Sequence, residues 1–223
     1  MKNSAKDLTE LVFILDRSSS MAGLERDTIG GFNSMLEKQK RTEGDVVVTT
    51  VLFDSTCELL HDRTDLRGIA PMTDKEYTVG GCTALLDAIG QTIDKITRAR
   101  QHILFGCRPQ KTLFVIITDG EENASREYSA DYIRKLIGRQ KEEGWEFVFL
   151  GANIDAITAA SRIGITPSRA ADYHADSVGT RTNFDALSEF VSTVRSCAPC
   201  ETAAALDNGC WKAGIEEDYR TRK

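Results

Sequence analysis

The stretch Leu11-Val12-Phe13-Ile14-Leu15-Asp16-Arg17-Ser18-Ser19-Ser20 sets five apolar residues directly against an acid, a base and three hydroxyls. Its apolar half shows no alternation with polar residues. A strand built from it is therefore expected to be buried on both faces, as in a parallel sheet covered by helices. Three further runs share this character: Val46-Val47-Val48-Thr49-Thr50-Val51-Leu52-Phe53, Thr112-Leu113-Phe114-Val115-Ile116-Ile117 and Phe147-Val148-Phe149-Leu150. A weaker run, Cys57-Glu58-Leu59-Leu60-His61, follows the second after only a few turn residues. That connection is too short for a parallel crossover, so it reads as a hairpin into an antiparallel edge strand.

Helical patterns fill the intervals. Ile29, Phe32 and Leu36 share one face of a helix expected over about 24–41, and Leu85, Ile89, Ile93 and Ile96 do the same over about 84–103. Ile133, Leu136, Ile137 and Gln140 mark a helix over about 129–143, and Ile154, Ile157 and Ile163 mark a shorter one. Phe184, Leu187, Val191 and Val194 give a last helix. Strands alternating with helices predict an α/β fold, a doubly wound and mostly parallel sheet with helices on both faces and right-handed crossovers.

The chain has 223 residues, with 28 Lys+Arg against 34 Asp+Glu, a net charge of −6. That balance argues against the basic footprint of a nucleic-acid binder and against a protein held on an anionic membrane. No apolar run approaches the ~20 residues that span a bilayer. Met1 to Asp7 lead into no apolar segment of the signal-peptide kind, so the expectation is a cytoplasmic protein whose six cysteines are reduced. Cys57, Cys82, Cys107 and Cys210 are expected as small buried apolar side chains.

In a sheet of this kind ligands collect beyond the carboxyl ends of the strands, at the point where strand order reverses. Asp16-Arg17-Ser18-Ser19-Ser20 follows the first strand, and Thr118-Asp119-Gly120-Glu121-Glu122-Asn123 follows the strand ending at Ile117. Between them, Gly80-Gly81-Cys82-Thr83 places Thr83 where a helix N-cap is expected. Asp16, Ser18, Ser20, Thr83 and Asp119 then converge from three loops, and all offer hard oxygen donors. Mg2+ takes near-octahedral oxygen coordination and keeps several waters. Neutral hydroxyl ligands would leave the ion much of its charge, so an incoming carboxylate would be a strong further ligand. Each piece also has a plainer reading: Asp16, Ser18 and Thr83 as helix caps, Asp119-Gly120 as an ordinary turn. Glu122 reads as a solvated rim charge, and Asp87 suits the helix dipole.

Asp16-x-Ser18-x-Ser20, Thr83 and Asp119 together resemble the metal-ion-dependent adhesion site of von Willebrand factor type A domains, shared by integrin I domains. The resemblance covers residues 7–195 and implies a six-stranded sheet with one antiparallel edge, its sixth strand around Ala170 to His174. It implies that Ser18, Ser20 and Thr83 hold the ion directly, with Asp16 and Asp119 reaching it directly or through water. The implied cofactor is Mg2+, or Mn2+ or Ca2+, and the implied activity is capture of an Asp or Glu side chain of a protein partner. Met21, Leu24, Tyr77, Thr78 and Glu121 are expected to form the rest of that contact. Intracellular members of the family work in assemblies with ATPases or in stress-response gene clusters, and a bacterial setting is expected. The alternative is a metal-dependent hydrolase of phosphatase type on the same strand ends. Such sites use carboxylates as direct ligands with a nucleophile or base, and here two motif positions are hydroxyls.

Residues 196–223 show little periodicity and read as a C-terminal tail carrying Cys197, Cys200 and Cys210. Cys197-Ala198-Pro199-Cys200 has redox-motif spacing but follows a helix rather than a strand. Zinc needs four ligands, and no second Cys-x-x-Cys or nearby histidine completes a set, so these cysteines are not expected to hold zinc.

Overall fold

The computed structural model describes residues 8–198, 201–207 and 209–222. Among them, six strands form one sheet: β1 (Leu8–Asp16), β2 (Asp45–Phe53), β3 (Cys57–Asp65), β4 (Lys111–Thr118), β5 (Trp145–Ala152) and β6 (Ala170–Tyr173). Their order is β3-β2-β1-β4-β5-β6, and every neighbouring pair is parallel except β2 and β3. The helices are α1 (Glu25–Lys40), α2 (Leu85–Gln101), α3 (Ala130–Glu142), α4 (Ala156–Arg162), α5 (Ser177–Ser196), α6 (Thr202–Asp207) and α7 (Ala213–Thr221).

β1 explains the unbroken apolar run. Leu11, Phe13 and Leu15 face one core with Phe32, Met35 and Leu36 of α1 and Leu187, Phe190 and Val191 of α5. Val12 and Ile14 face a second core with Ile89, Ile93 and Ile96 of α2 and Ile133 and Ile137 of α3. Both faces are dry, so every position from Leu11 to Leu15 is apolar. Burying each large side chain contributes about 1.5–3 kcal/mol. Phe13 and Phe32 meet edge to face, with ring centroids 5.4 Å apart, a favoured aromatic geometry.

The segment read as a tail is folded onto the first core. Leu206, Trp211 and Ile215 are buried there. The Trp211 ring packs at 4.9 Å from that of Phe190, and its indole N–H donates to Ser168 O at 3.0 Å. Lys212 Nζ donates to the carbonyls of Pro167 and Ala170, each at 2.9 Å. Helices of six and nine residues hold too few turns to print a 3.6-residue period. Cys200 lies outside the described residues. The cysteine expectation also needs correcting: Cys82, Cys107 and Cys210 are exposed and Cys57 is half-buried. Each sits at a strand edge or in a connecting turn rather than inside an element. No helix among the described residues is long and apolar enough to cross a membrane.

The chain leaves β1 toward β2 on one side, while β4 leads to β5 on the other. The reversal of strand order thus falls between β1 and β4, and the crevice it opens lies beyond Asp16 and Thr118.

Candidate metal-ion site

Asp16 ends β1 and is fully buried. Its Oδ1 accepts from Ser18 N at 2.7 Å and its Oδ2 from Thr118 Oγ1 at 2.6 Å. Tyr77 donates its hydroxyl to the Asp16 carbonyl from beneath the loop. Asp119 is 1% exposed. Its Oδ1 accepts from Ser20 Oγ at 2.5 Å, and Ser20 Oγ lies 3.1 Å from Ser18 Oγ. Thr83 completes the cluster from the third loop. A Cβ added to Gly120 would stand 3.1 Å from Ser20 Oγ and 3.3 Å from Thr83 Oγ1. A side chain at this position would crowd both hydroxyls and make them shift by a few tenths of an ångström. The structure therefore brings all five residues to one place. Asp16, Ser18, Thr83 and Asp119 are buried while Ser20 is exposed, so the cluster reaches solvent beside Ser20.

The helix-cap reading does not describe Ser18 and Thr83. α1 begins at Glu25, well beyond Asp16 and Ser18, and its N-cap residue is Leu24. Ser18 precedes a short 3-10 turn without a side-chain cap bond, and the N-cap of α2 is Ala84 rather than Thr83. Neither Ser18 nor Thr83 spends its hydroxyl on a helix end.

The electrostatics are one-sided. Burial raises the Asp16 carboxyl above its ordinary pKa, against the pull of its Thr118 and Ser18 hydrogen bonds. Burial also pushes Asp119 up to about 6, opposed by Ser20 and reinforced by the Asp16 charge. Arg17, the adjacent cation in sequence, is turned to Asp54 at 3.0 Å and Glu58 at 2.6 Å. Asp119 Oδ2 is buried with no hydrogen-bond partner. Two adjacent acids, an orphaned carboxylate oxygen and, among the described residues, no cation paired to either acid form a donor set that fits a hard divalent ion. Among the described residues no group of three or more His, Cys, Asp and Glu side chains could hold a metal. Any cation capacity here therefore rests on hydroxyls beside the two acids.

Several residues that position the site were read otherwise from the sequence. Glu122, taken for a rim charge, is half-buried and accepts from Leu86 N at 2.9 Å and from Ala124 N and Ser125 N at 3.0 and 2.7 Å. Asn123 Oδ1 accepts from Thr83 N at 2.9 Å, and Asn123 N donates to Thr83 O at 3.1 Å. Asp87 accepts from the backbone N–H groups of Arg126, Glu127 and Tyr128 at 2.8–2.9 Å. These bonds lace the β4 loop to the start of α2. Acid-rich Glu121-Glu122-Asn123 after a strand was the available signal.

The expected partner contact is corrected in part. Met21, Leu24 and Tyr77 are 2%, 7% and 1% exposed. They fill the core under the first loop and cannot touch a partner, because their apolar surface is already spent there. Thr78 and Glu121 are exposed.

No family model and no curated protein sequence matches the chain. Solved structures do. Proximal thread matrix protein 1 of the mussel byssus, with a zinc-occupied MIDAS motif, superposes with a TM-score of 0.57 at 14% identity over 84% of this chain and 46% of that one. A von Willebrand factor type A protein from Catenulispora acidiphila gives 0.56 at 13% identity, over 84% and 43%. The vWF domain of the pilus tip protein Mfa5 from Porphyromonas gingivalis gives 0.56 at 11% identity, over 86% and 98%. The chain spans under half the length of the first two and nearly all of the third. The sheet order, its one antiparallel edge and these superpositions together give the chain a von Willebrand factor type A-like fold.

Proposed function

We propose that the chain is a divalent-cation-dependent protein-binding module, with a cation held by Ser18, Ser20 and Thr83 assisted by Asp16 and Asp119. The buried Asp119 Oδ2 without a partner carries this reading. A bound Mg2+, Mn2+ or Ca2+ would act as a Lewis acid toward one carboxylate of a protein partner. The byssus protein's zinc-occupied motif adds Zn2+ to the cations worth testing.

The chain's own residues do the rest. Thr118 and the Ser18 amide hold Asp16 in one orientation. Ser20 holds Asp119, and Asn123 holds Thr83 through its backbone. Thr78 and Glu121 are the exposed residues of the expected rim, so they are available to a partner's flanking residues. The hydrolase reading lacks support from the described residues: His61 of β3 sits against Thr50 of β2, His174 stacks on Tyr219, and His102 caps the C-terminus of α2.

Calorimetric titration of Mg2+ and Mn2+ into EDTA-stripped protein tests the ligand set. Saturable binding in the wild type that disappears in D16A/S18A is the expected result, and equal binding by the variant overturns the assignment. Capture of a partner that is lost both in EDTA and in T83A tests the carboxylate contact. Retention in EDTA would overturn it.

A further inference from the structure

At the opposite end of the sheet a cavity of about 380 Å³ opens between the C-terminal ends of α2 and α3, the first residue of β5 and the turn before β4. Arg100, Arg108 and Arg139 are among its lining residues, and the Arg108 guanidinium lies over the Phe105 ring at 5.8 Å. Arg100 Nη1 donates to Pro109 O and Arg108 Nε to Ile103 O, each at 3.1 Å. Main-chain carbonyls, not acids, hold these two half-buried side chains in place. Arg17 faces Asp54 and Glu58, Arg63 faces Glu10, and Arg169 faces Glu146 and Asp207, whereas Arg195, like Arg100, donates to main-chain carbonyls. Arg100 and Arg108 make no ion pair among the described residues, although Glu142 and Glu143 line the same cavity. Burial works most strongly against the Arg100 charge; Glu10 and the cavity's own Glu143 support it, while Arg108 and Arg63 oppose it. Two more wall groups, the Thr97 hydroxyl and the Trp145 indole N–H, are buried without partners.

We propose that this cavity is a second binding site, for a small phosphate monoester. Three arginines against the two glutamates leave the pocket wall with a net positive charge, which a bound anion offsets. A phosphate carries about 1.5 to 2 negative charges at pH 7, and guanidinium forks match its oxygens two at a time. The volume exceeds what a bare phosphate needs and falls in the range of small-molecule pockets. Glu142 and Glu143 repel a second anion and accept hydrogen bonds, which selects an ester whose organic part bears hydroxyls.

The two tryptophans, Trp145 and Trp211, make the test direct. In 15N-labelled protein each gives one indole N–H signal, assigned by W211F. Glycerol 3-phosphate, inorganic phosphate and glycerol are titrated at ionic strength held constant with NaCl, once with Mg2+ and once with EDTA. The expected result is a saturable shift of the Trp145 signal with the ester, equal in Mg2+ and EDTA, and weakened about tenfold or more in R100Q/R108Q. A drift that matches NaCl, or equal affinity in the double variant, overturns the site. Binding of inorganic phosphate as tight as that of the ester overturns the ester assignment. Should R100Q/R108Q fail to fold by circular dichroism, R139Q at an exposed position carries the same comparison: weaker binding supports the site and equal affinity overturns it.

Discussion

Glu10 and Asp16 lie on the same strand, β1, and both are 0% exposed. Burial raises both carboxyls above their ordinary pKa. Their surroundings differ in charge, although Glu10 Oε2, like Asp119 Oδ2, is buried without a hydrogen-bond partner. Glu10 receives an internal cation: Arg63 Nη1 stands 2.5 Å from its Oε1, and Arg100 adds a second favourable charge. Arg63 reaches it because β3 slips register against β2 between Val48 and Val51, and Arg63 sits in that irregularity with φ 48°. A bulge re-aims a side chain in this way. Asp16 receives hydroxyl and amide donors only, with a second acid, Asp119, close by. A buried acid with its counter-charge built in serves the fold. A buried acid pair without one leaves the protein in need of a cation from outside.

The comparison breaks most visibly at Arg63. R63M removes the hydrogen-bonded partner of buried Glu10 and leaves only the charge of Arg100, and breaking such a pair costs about 3 kcal/mol. Urea unfolding should register that loss, while Mg2+ affinity measured by calorimetry stays unchanged. A loss of cation affinity in R63M would show that the two ends of β1 are not separate.

At the other end the expected effect is a gain. If the acid pair awaits a cation, adding Mg2+ at one hundred times its Kd should stabilise the wild type by about 2.7 kcal/mol. Thermal unfolding with Mg2+ or EDTA reads this, and S18A/T83A should show no difference between the two. A wild type indifferent to Mg2+, Mn2+ and Zn2+ would mean that the site tolerates its uncompensated charge.

The contrast also marks how far the sequence could be read. β1, β2, β4 and β5 declare themselves because strands covered on both faces are apolar at nearly every position, and β3 follows from the shortness of its connection to β2. The five clustered donors were legible because each stands at the end of a recognisable strand or just before a helix. Arg63 was not, since nothing in Cys57 to Asp65 announces where a register slip falls. Met21, Leu24 and Tyr77 were misread for a related reason: proximity in sequence to Ser20 or Gly80 says nothing about which side of a loop faces the core. Glu122, Asn123 and Asp87 act on backbone N–H groups, so the acid-rich run after β4 marks them as polar without showing which amides they hold. The helices after Ser196 hide because their anchors, Leu206, Trp211 and Ile215, follow no single period.

The smallest effect, and the one that isolates the missing counter-charge, concerns Asp119. Its carboxyl titrates near 6 in the folded, cation-free protein against an ordinary value of 3.8. The folded state therefore holds this proton more tightly than the unfolded chain does. The stability that follows is fully present below 3.8 and is lost as pH rises through about 6. D119N has no proton to lose. The variant and the wild type should match near pH 4 in EDTA, and the variant should become more stable above pH 6. A shift of about two units bounds the gain at roughly 3 kcal/mol, and burial of the new amide reduces it to about 1–2 kcal/mol. Mg2+ should reverse the order at neutral pH, because only the wild type then gains. If D119N is no more stable than the wild type in EDTA at pH 8, the Asp119 charge is already compensated inside the fold, and Asp16 and Glu10 stand on the same footing after all.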